Sequence, residues 1–145
     1  MSTLNADSPS VQSYLAILQG VISRMATNSA SCKTWCITIV SAILVVVADK
    51  AKPDYALISL IPIILFLLLD SYYLGLERAF RDLYNSFIKK LHEDAAVVED
   101  TFIVSPGGGT GHIISLALKS FFSISVWPFY LVLGGMVCVA RAWVL

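Results

Sequence analysis

Arg78 and Arg81 stand one helical turn apart in the stretch DSYYLGLERAFRDLYNSFIKK, with Tyr84, Phe87, Lys89 and Lys90 further along it. Two guanidiniums at that spacing offer planar, bidentate donors that can clamp a phosphate in a way lysine cannot reproduce. With aromatic rings and ammonium groups beside them, they suit an anionic ligand held by charge and stacking. Arg78, Arg81, Tyr84, Lys89 and Lys90 are therefore candidate ligand-binding residues. A solvated, inward-facing stalk would carry the same residues without any ligand. Glu77 with Arg81, and Arg78 with Asp82, are also spaced to pair at i,i+4, which on an exposed helix contributes about 0.3–0.5 kcal/mol.

A second pattern lies upstream. Arg24, Thr27, Ser31, Thr34, Thr38 and Ser41 follow one another at steps of three and four, so on a helix they share one face. From Trp35 to Ala48 there is no charge, and in lipid such a segment must be helical because no water satisfies its backbone. Small hydroxyl residues on that face permit close helix packing, or, around an axis of several copies, line a wet path. Both readings stand at this point. Ser31, Thr34, Thr38 and Ser41 are the candidate pore-lining residues. Val45 continues their face and is the candidate gate, an apolar ring that closes by dewetting.

Other motifs carry less. Pro106-Gly-Gly-Gly-Thr-Gly-His112 sits between a strand-like run at TFIV and a helix start, where backbone amides can cradle an anion. It lacks the Lys-Ser/Thr of a phosphate-binding loop; the alternative is a linker with Thr110 or Ser105 as helix cap. Cys32 and Cys36 have no further ligand at metal-binding spacing. His92, Glu93 and Asp94 are neighbours in sequence, which on a helix do not converge, and no nucleophile accompanies them. The expectation is no catalytic residue, no metal, no cofactor and no enzyme activity.

The elements that must position these residues are membrane helices. In 145 residues, 57% are hydrophobic and 14% charged, against roughly 25% charged in soluble domains. The net charge is zero, so the balance names no partner, and the length leaves no room for a separate soluble enzyme domain. The three cysteines lie in or beside apolar segments, without the spacing of a disulfide framework. The polar start, Met1 to Ser10, is unlike a signal peptide, so the N-terminus is expected to be retained.

The fold class read here is an all-α membrane protein with three transmembrane helices. Residues 1–10 form a tail. Residues 11–30 form an amphipathic helix on the cytoplasmic side, with Val11, Tyr14, Leu15, Leu18, Val21, Ile22 and Met25 on one face, which lies on the inner membrane surface or packs against another cytoplasmic helix. It either continues into the first span as one rod or bends at Asn28 and Ser29. The spans are 33–48, 55–69, with a kink expected at Pro62, and 121–140, broken by Pro128 and softened by Gly134 and Gly135. Between the second and third come a cytoplasmic stalk helix, 70–92, continuing span two, and a cytoplasmic loop, 93–112. The stalk repeats Tyr73, Leu76, Phe80, Leu83, Phe87 and Leu91 in a narrow seam that needs either the first helix or copies of itself. Lys and Arg counts put the N-terminus and stalk in the cytoplasm and the C-terminus outside.

Two stretches, YLAILQGVISRMATNS (14–29) and LDSYYLGLERAFRDLY (69–84), resemble a family of small bacterial inner-membrane proteins. Some of its relatives resemble the membrane effectors of nucleotide-signalling phage-defence systems, in particular the Hailong-type channel effector. The resemblance covers about residues 14 to 84. It implies a bacterial inner-membrane location and a signal, an oligonucleotide or cyclic nucleotide made by a nucleotidyltransferase, arriving where Arg24, Arg78 and Arg81 lie, which adds Arg24 to the ligand candidates. The resulting expectation is a homo-oligomer in the lipid bilayer, a tetramer, that conducts or permeabilises under control of that signal. The alternative is a non-conducting scaffold that oligomerises and recruits a partner membrane protein.

Overall fold

The computed structural model describes residues 5–50, 52–106 and 109–143, and all regular structure among them is helical. Helix α1 (Pro9–Lys50) is followed by a 3-10 stretch (Pro53–Ser59) that leads into α2 (Leu60–His92); a short 3-10 turn at Val98–Asp100 precedes α3 (Gly109–Phe121) and α4 (Trp127–Trp143). α1 runs its 42 residues without a break. No proline or glycine lies between Val21 and Lys50 to interrupt it, so Asn28 and Ser29 sit inside a continuous rod. At 1.5 Å per residue the rod is about 63 Å long, roughly twice the ~30 Å of bilayer hydrocarbon. α1 and the helical run Pro53–His92 are each long and apolar enough to cross a membrane, and α4 is apolar but shorter.

α1 and α2 lie against one another along their lengths, and apolar side chains gather in two separate clusters. Near the C-terminal half of α1, Cys36, Val40 and Val47 pack with Ala56 and Ile63 and with Val126, Tyr130, Leu133 and Val137 of the α4 region. Near its N-terminal half, Val11, Tyr14, Leu18 and Val21 pack with Phe80, Phe87 and Ala96. The narrow seam of the stalk is thus covered by α1, since Leu83 and Leu91 also lean on this cluster. Arg141, near the end of α4, reaches Asp54 at 2.7 Å, which sets the far end of α4 beside the α1–α2 turn.

Three features differ from expectation. The break expected at Pro128 within 121–140 comes ahead of it: α3 ends at Phe121, a turn occupies residues 122–126, and Pro128 falls in the first turn of α4, where its missing N–H costs nothing. Pro62 likewise lies in the first turn of α2, and the irregularity assigned to it comes ahead of it as the 3-10 stretch. The run TFIV forms no strand: Phe102 is left-handed, with φ of 64°, and a lone run without a partner strand has nothing to satisfy its ladder.

Candidate functional site

Between the two apolar clusters lies a polar layer. Asp70, on α2, is fully buried. Both its carboxylate oxygens are served by α1: the Ser29 hydroxyl donates to Oδ1, and Lys33 Nζ sits 2.5 Å from Oδ2. From α4, the Tyr130 hydroxyl donates to the Phe66 carbonyl at 3.2 Å, one turn before Asp70, and lies beside the carboxylate as well. A bare carboxylate inside an apolar bundle would be costly by several kcal/mol. Here the geometry supplies an opposite charge and a hydroxyl, and the α1–α2 register is what brings them together. Neither Lys33 nor Asp70 is among the residues that spacing singles out, although a carboxylate directly after the apolar run LFLLL is the usual mark of a functional or paired group in a membrane segment.

The hydroxyl seam of α1 turns the other way. Arg24, Thr27, Thr34, Thr38, Ser41 and Val45 are exposed and Ser31 is half-buried, so the stripe faces away from both clusters except at Ser41, which borders a groove beside α4. Val45 is 70% exposed. Several of the hydroxyls are already occupied within the helix: Thr27 donates to Ser23, Thr34 to Ala30 and Thr38 to the Thr34 carbonyl. Such i to i−4 bonds leave the oxygens free to accept from water or another helix. Beside the stripe, Ile37, Val40, Ser41 and Leu44 face Pro128, Phe129, Val132 and Met136 across an apolar groove of about 500 Å³.

The ligand-binding candidates separate. Arg78 donates to the Ser123 hydroxyl at 3.0 Å, in the turn between α3 and α4. Arg81 pairs with Glu77 at 2.8 Å and, with Tyr84, Gln19, Ile22 and Asn85, lines a small cavity of about 240 Å³ between α1 and α2. Gln19 Nε2 donates to the Tyr84 hydroxyl there, at 3.2 Å. The two arginines therefore contact different elements and do not form one fork. Lys90 is bound to Asp100 at 2.6 Å, while Lys89 and Arg24 are exposed. Arg81 and Tyr84 are the candidates brought together.

The loop after α2 is pinned over the end of the α1–α2 pair. The Tyr14 hydroxyl donates to the Ile103 carbonyl at 2.7 Å, and its ring meets Phe87 edge-on at 4.8 Å. Burial, and secondarily the nearby Asp100 charge, raise the Tyr14 hydroxyl above its ordinary pKa. The hydrogen bond from Lys90, reinforced by the Val97 N–H, holds Asp100 below the ordinary carboxylate value. Of the glycine loop, Gly107 and Gly108 lie outside the described residues. Gly109 opens α3 with φ of 66°, so Thr110 is inside the first turn rather than ahead of it. His92 Nδ1 bonds the Ile88 carbonyl, one turn back on its own helix, at 2.9 Å. Among the described residues, no three His, Cys, Asp or Glu side chains gather as a metal site. Compared with known protein families, curated proteins and solved structures, the chain matches none.

Proposed function

We propose that this chain is a self-assembling membrane effector in which the α1 seam of several copies, four in our reading, surrounds a gated path through the bilayer. The observation that supports it is the seam's direction: Thr34, Thr38 and Val45 face outward from a helix whose other side is packed against α2 and α4, with Ser41 exposed at the edge of the groove beside α4. Small hydroxyl side chains on a lipid-length apolar helix gain from a neighbour or from water, and nothing from acyl chains. α4, at about 26 Å by its 17 residues, falls a few ångströms short of the hydrocarbon thickness, a mismatch that local thinning of the bilayer accommodates. It is our third span. In this reading the stalk end faces the cytoplasm of a bacterial inner membrane, the C-terminus faces outside, and the basic and aromatic groups of the stalk receive an anionic, nucleotide-type signal. The phage-defence setting rests on the resemblance of residues 14–84 alone. No step of this function is catalytic.

The second reading, a non-conducting scaffold, is favoured by one fact: Thr34 and Thr38 already donate within α1. Purified protein in planar bilayers separates the two. Discrete conductance steps that grow with protein density are expected. A crosslinked oligomer without conductance, with or without oligonucleotides, would leave the scaffold.

A further inference from the structure

We propose that Asp70, Lys33 and Ser29 form an internal charge latch that holds the closed state and must part for the α1 seam to move; the proposal rests on the channel reading above. The two apolar clusters on either side of the layer are non-directional and tolerate small rotations and slides of one helix on the other. The polar layer does not. One hydroxyl and one ammonium, a turn apart on α1, are both aimed at a single carboxylate on α2 that has no exposure to solvent. Successive residues of an α-helix are about 100° apart. A rotation of α1 that turns the seam by one residue position therefore carries both donors off Asp70. The latched and rotated arrangements exclude each other, which makes the layer a two-state element rather than a continuous hinge.

The surroundings of the layer supply the second state. Lys33 is the partly exposed member of the pair, with 21% of its side chain accessible. Its ammonium can move toward the membrane surface along its flexible stem. Asp70 has no such route, and among the described residues Cys32 on α1 and the Tyr130 hydroxyl on α4 also lie near it. Arg78, two turns along α2, is held by Ser123 and does not replace Lys33. The latch thus releases on the α1 side, while the Tyr130 hydroxyl of α4 is engaged by the Phe66 carbonyl.

The test compares single-channel records of the wild-type oligomer with Asp70→Asn, which keeps shape and a hydrogen-bonding oxygen but removes the charge. A second protein carries Ser29→Cys and Asp70→Cys, with Cys32, Cys36 and Cys138 replaced by alanine, joined by a short reducible thiol crosslinker. Asp70→Asn is expected to raise resting open probability at least about tenfold, since removing one partner of a buried pair costs more than that factor represents. The crosslinked protein is expected to be silent and to open when the same molecules are reduced, which a folding defect would not produce. Resting openings of Asp70→Asn equal to wild type, or openings of the crosslinked protein, would overturn the latch while the channel stands. If Asp70→Asn fails to insert, the crosslinked arm decides. Silence of every protein, reduced or not, would remove the channel reading and the latch with it.

Discussion

A Cβ placed on Gly75 would lie 2.8 Å from the backbone nitrogen of Ala117, so α2 and α3 touch backbone to backbone at that point. Only hydrogen fits there. Gly75→Val is expected to push α3 off α2 and lower stability by about 1–3 kcal/mol, the usual cost of overpacking. Gly20, on α1, has nothing within 4 Å of its own added Cβ. Gly20→Ala should be neutral or stabilise by up to about 1 kcal/mol, because a helix interior prefers alanine. Thermal unfolding in detergent measures both, and equal effects of the two would contradict this packing.

The seam gives opposite outcomes for polar and apolar changes. Thr38→Leu and Ser41→Leu would build a greasy constriction that dewets and stops conduction. Val45→Ser would wet the proposed gate, and the protein should leak and slow growth of its host without any signal. Thr38→Ala, by contrast, gives up interactions that in membranes average only about 0.6 kcal/mol and should change little. Host growth and bilayer conductance check these together; unchanged behaviour in both Val45→Ser and Thr38→Leu would leave α1 as a packing helix.

The separation of Arg78 from Arg81 makes their charge reversals distinguishable. Arg81→Glu places a carboxylate in the Gln19–Tyr84 cavity beside Glu77, and binding of a short oligonucleotide, measured by calorimetry, should fall by tenfold or more. Arg78→Glu removes the tie to Ser123, so its first effect should be a looser α3–α4 turn, seen as faster proteolysis there. The weak i,i+4 pairing of Arg81 with Glu77, about 0.3–0.5 kcal/mol, cannot account for a loss of that size. Oligonucleotide binding untouched by Arg81→Glu would mean that the stalk charges serve only solvation.

The loop over the end of the helix pair should respond to acid. Asp100 titrates below the ordinary value near 3.8 in the folded protein, so its contribution is fully present above that value and is lost as the pH falls through its lowered one. Acid proteolysis or hydrogen exchange of residues 97–103 should show release only below about pH 4, with Asp100→Asn already loosened at neutral pH. Tyr14 has the opposite sign: its raised value means stability that persists up to its ordinary pKa of about 10 and fades as the pH climbs further. Tyr14→Phe, which keeps the ring against Phe87 but drops the bond to Ile103, should cost about 0.5–1.5 kcal/mol without that alkaline change.

Much of the helical plan follows from the order of residues alone. An uncharged stretch such as Trp35–Ala48 has one way to satisfy its backbone in lipid, and the three-and-four spacing of Val11, Tyr14, Leu18 and Val21, like that of Phe80, Leu83 and Phe87, states which face of each helix must be covered, though not by what. Periodicity is a local property, and local properties suffice to name helices and their sides. They do not say where a helix ends inside an apolar run: Pro128 marks a break within 121–140, but its place at residues 122–126, one turn past the contact of α3 with Gly75, was not legible. Nor could sequence join Asp70 to Ser29 and Lys33, 41 and 37 positions away. Sequence named the residue types and the faces of α1; the α1–α2 register, a tertiary quantity, decided that one face holds a buried charge pair and the other stays open. The physical reason is that pairing depends on distances of a few ångströms across two rods, which spacing along either rod leaves free.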